Sequence, residues 1–207
     1  LSQLNAFGQA EYQKLLGSTG SDKGYRITHT SDGNFAVSGM YSMAGFGTGL
    51  YLLSKIDQLG DTLWVNTYGS EVDNSPMVGA LEKDGLAGLS AYGLHECMDG
   101  GFAMTGTAHD WSFGQDDILI VRTDNAGDVL WTGSYGGIGE DIANDILESD
   151  DGNFIVAGYT ESFGALFRDA YILRISPQGD TLWTLIVDGG SIDSFNSIIE
   201  TSDGNFL

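Results

Sequence analysis

Carboxylates are the groups of this sequence with the most obvious chemical potential, because Asp and Glu number 29 against 8 Lys and Arg. Paired carboxylates can exchange protons with a substrate or bind a divalent cation. A D-x-D-x-D-G calcium loop does not occur in the sequence. Asp116 and Asp117 are the remaining calcium candidates, but adjacent strand residues point to opposite faces. We therefore expect no metal or other cofactor, with calcium at these two residues as the alternative.

A second set of polar residues recurs at a fixed place, ten residues after an aromatic anchor (Tyr12, Trp64, Trp131 or Trp183). Its members are Asp22, Asn74, Asp141 and Asp193. Asp and Asn in turns commonly accept hydrogen bonds from backbone amides. We predict that these residues hold turns.

Motifs of known catalytic machinery are absent. The sequence contains no G-x-S-x-G, no H-E-x-x-H and no phosphate-binding loop. His29 shares its repeat position with Glu96, Glu148 and Glu200, which we interpret as a position open to solvent. We predict a protein that is not an enzyme.

The charge balance excludes whole classes of partner. The formal net charge is -21, whereas nucleic acids and anionic membranes require basic surfaces. No apolar run is long enough to span a membrane.

The single cysteine, Cys97, aligns with Thr30, Ser149 and Thr201, so we expect a small packed side chain there.

The elements that must position any site are internal repeats. Asp-Gly pairs begin at Asp32, Asp99, Asp151 and Asp203, separated by 67, 52 and 52 residues. Gly-Asp-x-x-Trp recurs with the same steps. The unit is therefore 52 residues long, and one copy carries 15 additional residues, near 75–89.

Each unit predicts four short strands. In the third copy these are "DILES", "FIVAG", "AYILRIS" and "TLWTLIV", joined by an Asp-Gly turn, which suits a two-residue hairpin, then a longer loop and a Gly-Asp turn. A fixed Gly in the second strand indicates close backbone approach. Four-stranded units repeating at about 50 residues are typical of a β-propeller. The predicted fold is all-β, with four-stranded antiparallel blades.

The segments "GDTLWTLIVDGG" and "DGNFIVAGYTESFG" resemble the repeats of secreted, propeller-forming proteins of Bacteroidetes and related bacteria. The order of Gly, Asp-x-Tyr and Trp also resembles kelch-type blades. The resemblance implies a propeller fold and an extracellular or cell-surface location, and it implies no particular activity.

The repeat phase predicts one propeller segment. Residues 1–31 hold the end of one blade and the start of the next, 32–98 a repeat with the insertion, 99–150 and 151–202 two further repeats, and 203–207 the start of another. Both ends fall within a blade. We favour part of a longer ring, and the alternative is that both ends share one blade. Exposed strand edges would permit self-assembly.

Binding is expected on the face that collects the long loops, opposite the Asp-Gly turns. Each of these loops carries a Phe in a Gly-rich setting, which either packs against its blade or forms an aromatic rim. Residues 109–111 have no counterpart in the other copies, and the insertion contributes charged residues. The candidates are Phe46, Glu82, Lys83, Asp84, His109, Asp110, Trp111, Phe113, Phe163 and Arg168.

The sequence thus favours a non-catalytic extracellular scaffold for adhesion, assembly or protein contact. The first alternative is a carbohydrate-binding propeller that stacks Trp111 on a sugar ring. The second is a glycan hydrolase with two carboxylates across a central opening. The expected partner is a protein or glycan surface.

Overall fold

The structure is a computed structural model that describes residues 2–14, 17, 20–42, 49–69, 86–110, 115–164 and 167–207. These residues form strands and turns, and none of them forms a helix. The strands are β1 (Ser2–Leu4), β2 (Ala10–Gln13), β3 (Lys23–His29), β4 (Phe35–Ser42), β5 (Gly49–Ile56), β6 (Thr62–Tyr68), β7 (Leu86–Glu96), β8 (Phe102–Asp110), β9 (Asp116–Thr123), β10 (Val129–Tyr135), β11 (Asp141–Glu148), β12 (Phe154–Thr160), β13 (Asp169–Ile175) and β14 (Thr181–Val187).

Three four-stranded antiparallel sheets follow one another along the chain, and consecutive strands are neighbours within each sheet. Sheet I contains β3–β6, sheet II contains β7–β10 and sheet III contains β11–β14. Strands β1 and β2 pair separately, and a bridge joins Glu200 to Phe206. The prediction of an all-β fold with four strands per repeat is confirmed.

Apolar side chains fill the space between successive sheets. Tyr51 and Leu53 of sheet I share one buried cluster with Phe102 and Met104 of sheet II. Ile120 of sheet II and its neighbours share a second cluster with sheet III. Burying one such side chain stabilises the fold by roughly 1.5–3 kcal/mol. The sheets therefore pack face to face, as propeller blades do.

The repeated Trp anchors belong to these interfaces. Trp64 lies edge-on to Phe102 of the next sheet, with ring centroids 6.0 Å apart. Trp131 and Phe154 repeat the contact at 6.0 Å. Trp64 and Trp131 thus each join the fourth strand of one sheet to the second strand of the next.

The first strands of the sheets converge on the inner side of the arrangement. Arg26 of β3 forms an ion pair with Asp145 of β11, although sheet II separates these strands in sequence. The Ser197 hydroxyl also donates to Asp145 Oδ2, at 2.7 Å. Such contacts require the sheets to fan about a common axis, and the arrangement is propeller-like.

The Asp-Gly turns are longer than the two-residue hairpins that the sequence predicted. The Gly33 N–H donates to the Thr30 carbonyl at 2.9 Å, and the Thr30 N–H donates to the Asn34 carbonyl at 2.8 Å. This pattern encloses three residues, and Gly33 has a φ of 84°. Asp32 accepts hydrogen bonds from the Thr30 hydroxyl and the Asn34 N–H. These bonds stabilise a type I turn that ends in a left-handed glycine.

The fixed glycine of the second strand is confirmed as a point of close backbone approach. A Cβ at Gly39, Gly106 or Gly158 would collide with a carbonyl oxygen of the neighbouring first strand. At each site the first strand has an irregular register. Only a residue without a side chain fits there.

A repeated polar contact also joins the sheets. The Ser31 N–H donates to Glu96 Oε2 at 2.7 Å, and the Met98 N–H donates to Glu148 Oε2 at 2.7 Å. The glutamate at this repeat position therefore caps the Asp-Gly turn of the preceding sheet. The sequence indicated only that this position is open to solvent.

Cys97 is buried, and burial raises the pKa of its thiol to about 12. It is the small packed residue that the repeats predicted.

Candidate functional site

Long connections gather at one end of the sheets, which we call the loop face. It contains the segments after each second strand and the segments between sheets, and the Asp-Gly and Gly-Asp turns lie at the opposite end. Strand β7 starts at this face, because Leu86 pairs with Asp110 at the end of β8. The described part of the insertion, residues 86–89, thus begins at the loop face.

Several predicted binding residues lie outside the described residues. They are Phe46, Glu82, Lys83, Asp84, Trp111 and Phe113. The backbones of His109 and Asp110 belong to β8, where they pair with Ala87 and Leu86, and their side chains are likewise outside the description.

Arg168 is held in place by three side chains. Its Cζ atom lies 3.8 Å from the centroid of the Tyr159 ring. Its Nη2 atom lies 3.3 Å from Oε1 of both Glu140 and Glu161. A cation over an aromatic face, paired with two carboxylates, gains from stacking and charge together. Arg168 therefore presents a fixed orientation.

Tyr159 completes this arrangement. Its hydroxyl donates to Glu140 Oε1. Burial, followed by this hydrogen bond, raises the pKa of Tyr159 well above its usual value. The phenol consequently stays protonated and continues to orient Glu140 toward Arg168.

Phe163 packs against its own sheet and is also partly exposed; its role in a binding rim stays a prediction. Its ring lies 6.0 Å from that of Tyr171, tilted by 31°, so it packs against its own sheet. The Phe163 side chain is nevertheless 40% exposed. Its backbone N–H donates to Thr160 Oγ1 at 3.2 Å, which fixes the loop.

Three exposed apolar residues of the loop face were not singled out from the sequence. Phe167 is 64%, Ile192 70% and Ile138 86% exposed. Phe167 and Ile192 line one cavity of about 340 Å³ together with Glu161 and Arg168. A large apolar residue within a Gly- and Asp-rich connection was the available signal. We call Ile138, Phe163, Phe167 and Ile192 the apolar patch.

Two of the recurring Asp residues, Asp141 and Asp193, hold turns, as predicted. The Gly137 N–H donates to Asp141 at 2.8 Å. Asp22 instead accepts the N–H of Ser42 at the end of β4, 20 residues further along the chain, at 2.8 Å. The Gly189 N–H donates to Asp193 at 2.8 Å. The fourth member, Asn74, lies outside the described residues.

Carboxylates also meet at two junctions of the loop face. Asp117, one of the two calcium candidates, lies beside Asp141, since a Cβ at Gly136 would contact both carboxylates. Asp116 begins β9, and its backbone pairs with His109. Beyond sheet III, one oxygen each of Asp169, Asp188 and Asp193 lie within 4.8 Å of one another. Asp188 and Asp193 lie in the connection after β14, whereas Asp169 begins β13, so no single local motif contains all three.

Comparison with known proteins adds information on the fold. No protein-family model matches the chain, and no curated protein matches it. A solved structure, described as a protein of unknown function from Bacteroides caccae, is 16% identical with a TM-score of 0.57. The match covers 99% of this chain and 59% of that one. At this identity the likeness concerns the fold alone. Among the described residues, no helix is long and apolar enough to cross a membrane.

Proposed function

We propose that this chain is a non-catalytic extracellular scaffold that binds a protein partner through the loop face. The observation that carries the proposal is the apolar patch beside Arg168. Phe167 and Ile192 are both more than half exposed and line one cavity with this arginine. Exposed apolar groups that adjoin polar residues are typical of protein interaction sites.

The chemistry of the patch suits a binding hot spot. Aromatic residues and Arg dominate the energetic centres of protein interfaces. Arg168 is already immobilised by Tyr159, Glu140 and Glu161. An ordered side chain loses less conformational entropy when a partner binds. Arg168 is therefore preorganised for binding beside the apolar patch.

The charge around the patch specifies the partner. Glu140, Glu161, Asp188 and Asp193 lie on the same face, and the whole chain carries a formal net charge of -21. Complementary potentials steer association and suppress incorrect pairs. We infer a protein partner with an apolar surface surrounded by basic residues.

Two further parts of the proposal rest on the sequence. The lack of catalytic motifs supports a binding role, and the resemblance to secreted repeats supports an extracellular location. The repeated, face-to-face sheets provide a frame in which loops can vary without loss of the core. Recovery of the protein in the cytoplasm of cells that make it would contradict the location.

Site-specific photo-crosslinking tests the binding face. A photoreactive amino acid replaces Phe167 in the full protein, made in its own cells, and adducts are identified by mass spectrometry. The control position is Leu59, which is 67% exposed and lies in a Gly-Asp turn at the opposite end. We expect one defined protein adduct from position 167, none from position 59, and loss of the adduct when Ile138→Ser and Ile192→Ser are added.

Equal adducts from both positions would contradict the proposal. Binding to a glycan array that is lost with Phe163→Ser would favour the carbohydrate-binding alternative. Polysaccharide turnover that a single Asp or Glu substitution abolishes would show an enzyme instead.

A further inference from the structure

The fourth strands of sheets I and II end in matched contacts with the following sheet. Tyr68 ends β6 and shares a buried cluster with Leu119 of β9, whereas Tyr135 ends β10 and packs against a cluster that contains Tyr171 of β13. Each of the two tyrosine hydroxyls at these strand ends donates to the glycine carbonyl of the next Gly-Asp turn, at 2.8 and 2.6 Å. The two junctions between sheets can therefore be compared position by position.

The walls of the two junctions differ in polarity. In the first junction Leu119 is buried and Val129 packs against the apolar cluster. Their counterparts 52 residues later are Tyr171 and Thr181. Tyr171 is buried, but Thr181 is exposed, and a cavity of about 350 Å³ opens there between β10 and the strands β13 and β14. We call this cavity the groove.

The groove is elongated along β14. Phe163 of the loop face and Tyr171 line one end, and Thr181, which follows a Gly-Asp turn, lines the other. Tyr171 pairs with Ile186, which lies five residues beyond Thr181 on β14. At about 3.3 Å per strand residue, the two ends are about 16 Å apart. A volume of about 350 Å³ over that length suits an extended chain better than a helix.

Aromatic and hydroxyl groups form the walls of the groove. Phe163 is 40% exposed, and its ring lies 6.0 Å from that of Tyr171. Tyr135 is half-buried, and Thr181 and Thr184 are exposed. Among the described residues, the lining contains no charged side chain. A ligand should therefore offer apolar surface to the rings and hydrogen-bond acceptors to the hydroxyls.

A polyproline II segment meets both requirements. It is extended, at about 3.1 Å per residue, so about five residues would fill the groove. Its backbone makes no internal hydrogen bonds, so its carbonyl groups can accept from Thr181 and Thr184. Proline-rich segments dock in grooves that aromatic side chains line. Because the conformation exists before binding, little conformational entropy is lost.

The surroundings of the groove favour a basic segment. Glu161 lies two residues before Phe163, and its N–H donates to the Glu140 carbonyl at 2.8 Å. The carboxylates of both glutamates share the single guanidinium of Arg168. These three groups together carry a net negative charge, as the whole chain does. Arginine or lysine beside the prolines would be attracted to this charge.

We propose that the groove between sheets II and III binds a proline-rich, basic segment in the polyproline II conformation. The inference rests on the proposed function, because this segment belongs to the protein partner that contacts the loop face. Phe163 connects the two surfaces, since it belongs to the apolar patch and also lines the groove.

Fluorescence anisotropy of a labelled peptide, titrated with the full protein at low salt, tests the proposal. The probe contains about five prolines with arginines on both sides, and a second peptide has glycine and serine in place of the prolines. We expect saturable binding of the proline peptide below about 1 mM, and weaker binding of the second peptide. Phe163→Ser should lower the affinity about tenfold. Thr181→Val, which introduces the residue of the first junction, should lower it about threefold or more.

The matched control is Thr62→Val, the same substitution at the same repeat position on β6. It should leave the affinity unchanged. Thr62, Phe163 and Thr181 are all exposed, so the three variants should keep the unfolding temperature of the original protein.

Three results would overturn the groove as the binding site. They are the lack of saturable binding up to about 1 mM, equal binding of the two peptides, and an affinity that falls with Phe163→Ser but not with Thr181→Val. The second would mean that charge alone attracts the peptide, and the third would place the peptide on the apolar patch. A defined protein adduct from position 167 without binding of the proline peptide would leave the proposed function intact and overturn this inference alone.

Discussion

Arg26 and Asp145 form an ion pair between the first and the third sheet, across the inner edge of the second. Both occupy one repeat position, which Gly93 and Ser197 share. A Cβ at Gly93 would lie only 3.1 Å from the Asp145 Cα atom, so sheet II contributes no side chain there. At this one repeat position Arg26 supplies a cation, Asp145 an anion and Ser197 a hydroxyl, whereas Gly93 has no side chain. Together these residues join the first strands of the sheets.

Loss of the Asp145 carboxylate should destabilise the whole arrangement. Asp145 accepts the Ser197 hydroxyl and the Ile198 N–H besides Arg26. We expect Asp145→Ala to lower the free energy of unfolding by about 2–3 kcal/mol, because it leaves buried donors unpaired. Arg26→Met should cost about 1 kcal/mol or less, since the Arg26 side chain is 37% exposed. Urea denaturation of both variants and of the double variant measures the coupling, and an Asp145→Ala cost no larger than that of Arg26→Met would contradict this role.

The glycine of the second strand should tolerate no side chain. A Cβ at Gly158 would collide with the Ile142 carbonyl oxygen and lie 2.9 Å from the Ala143 Cα atom. We expect Gly158→Ala to cost about 3 kcal/mol, because two backbones would have to separate. Gly24→Ala is the control, since its Cβ would meet only Val37 Cγ1 at 3.7 Å; it should change stability by less than about 0.5 kcal/mol. Equal unfolding temperatures for the two variants would refute the explanation.

Acid should weaken the protein through its Asp-Gly turns. The ion pair with Lys55 holds the pKa of Asp32 far below its usual value. Hydrogen bonds, chiefly from the Ser149 hydroxyl, lower the pKa of Asp151 to about 2. An unfolded Asp titrates near a pKa of about 3.9. A folded pKa below the unfolded one gives stability that is complete above about pH 4 and is lost as pH falls through the folded pKa.

The expected result is a decline in the free energy of unfolding between about pH 4 and pH 2. Asp151→Asn removes one of the groups that take up a proton on unfolding, so the decline should become shallower. Urea denaturation at a series of pH values across this window provides the measurement. An unchanged slope in the variant would show that other carboxylates dominate acid unfolding.

Much of the frame was predictable because its signals are local. Each hairpin joins strands only a few residues apart, and a repeated Asp-Gly or Gly-Asp turn fixes where the chain reverses. The Gly at a fixed place in the second strand likewise indicated the close approach of two adjacent strand backbones. The turn length was wrong, because Asp-Gly also suits a type I turn that ends in a left-handed glycine.

The candidate site was predictable only in part. The loop face followed from strand order, and Arg168 and Phe163 lie on it, while their role in binding stays a prediction. The sequence did not reveal which side chains contact Arg168 and Phe163. Glu140 comes from a different loop, and Tyr159 and Tyr171 come from the neighbouring strands. Phe167 and Ile192 line the same cavity although 25 residues separate them.

The sequence by itself determined the 52-residue period, the four strands of each unit and the end of the sheets at which long loops gather, because turn chemistry and strand alternation act over a few residues. Only the tertiary structure decided which repeat positions meet. Arg26 and Asp145 are 119 residues apart, and the carboxylate of Asp169 meets those of Asp188 and Asp193, which lie in a different segment. Their contacts depend on how the sheets pack and fan, and the period alone does not encode that angle.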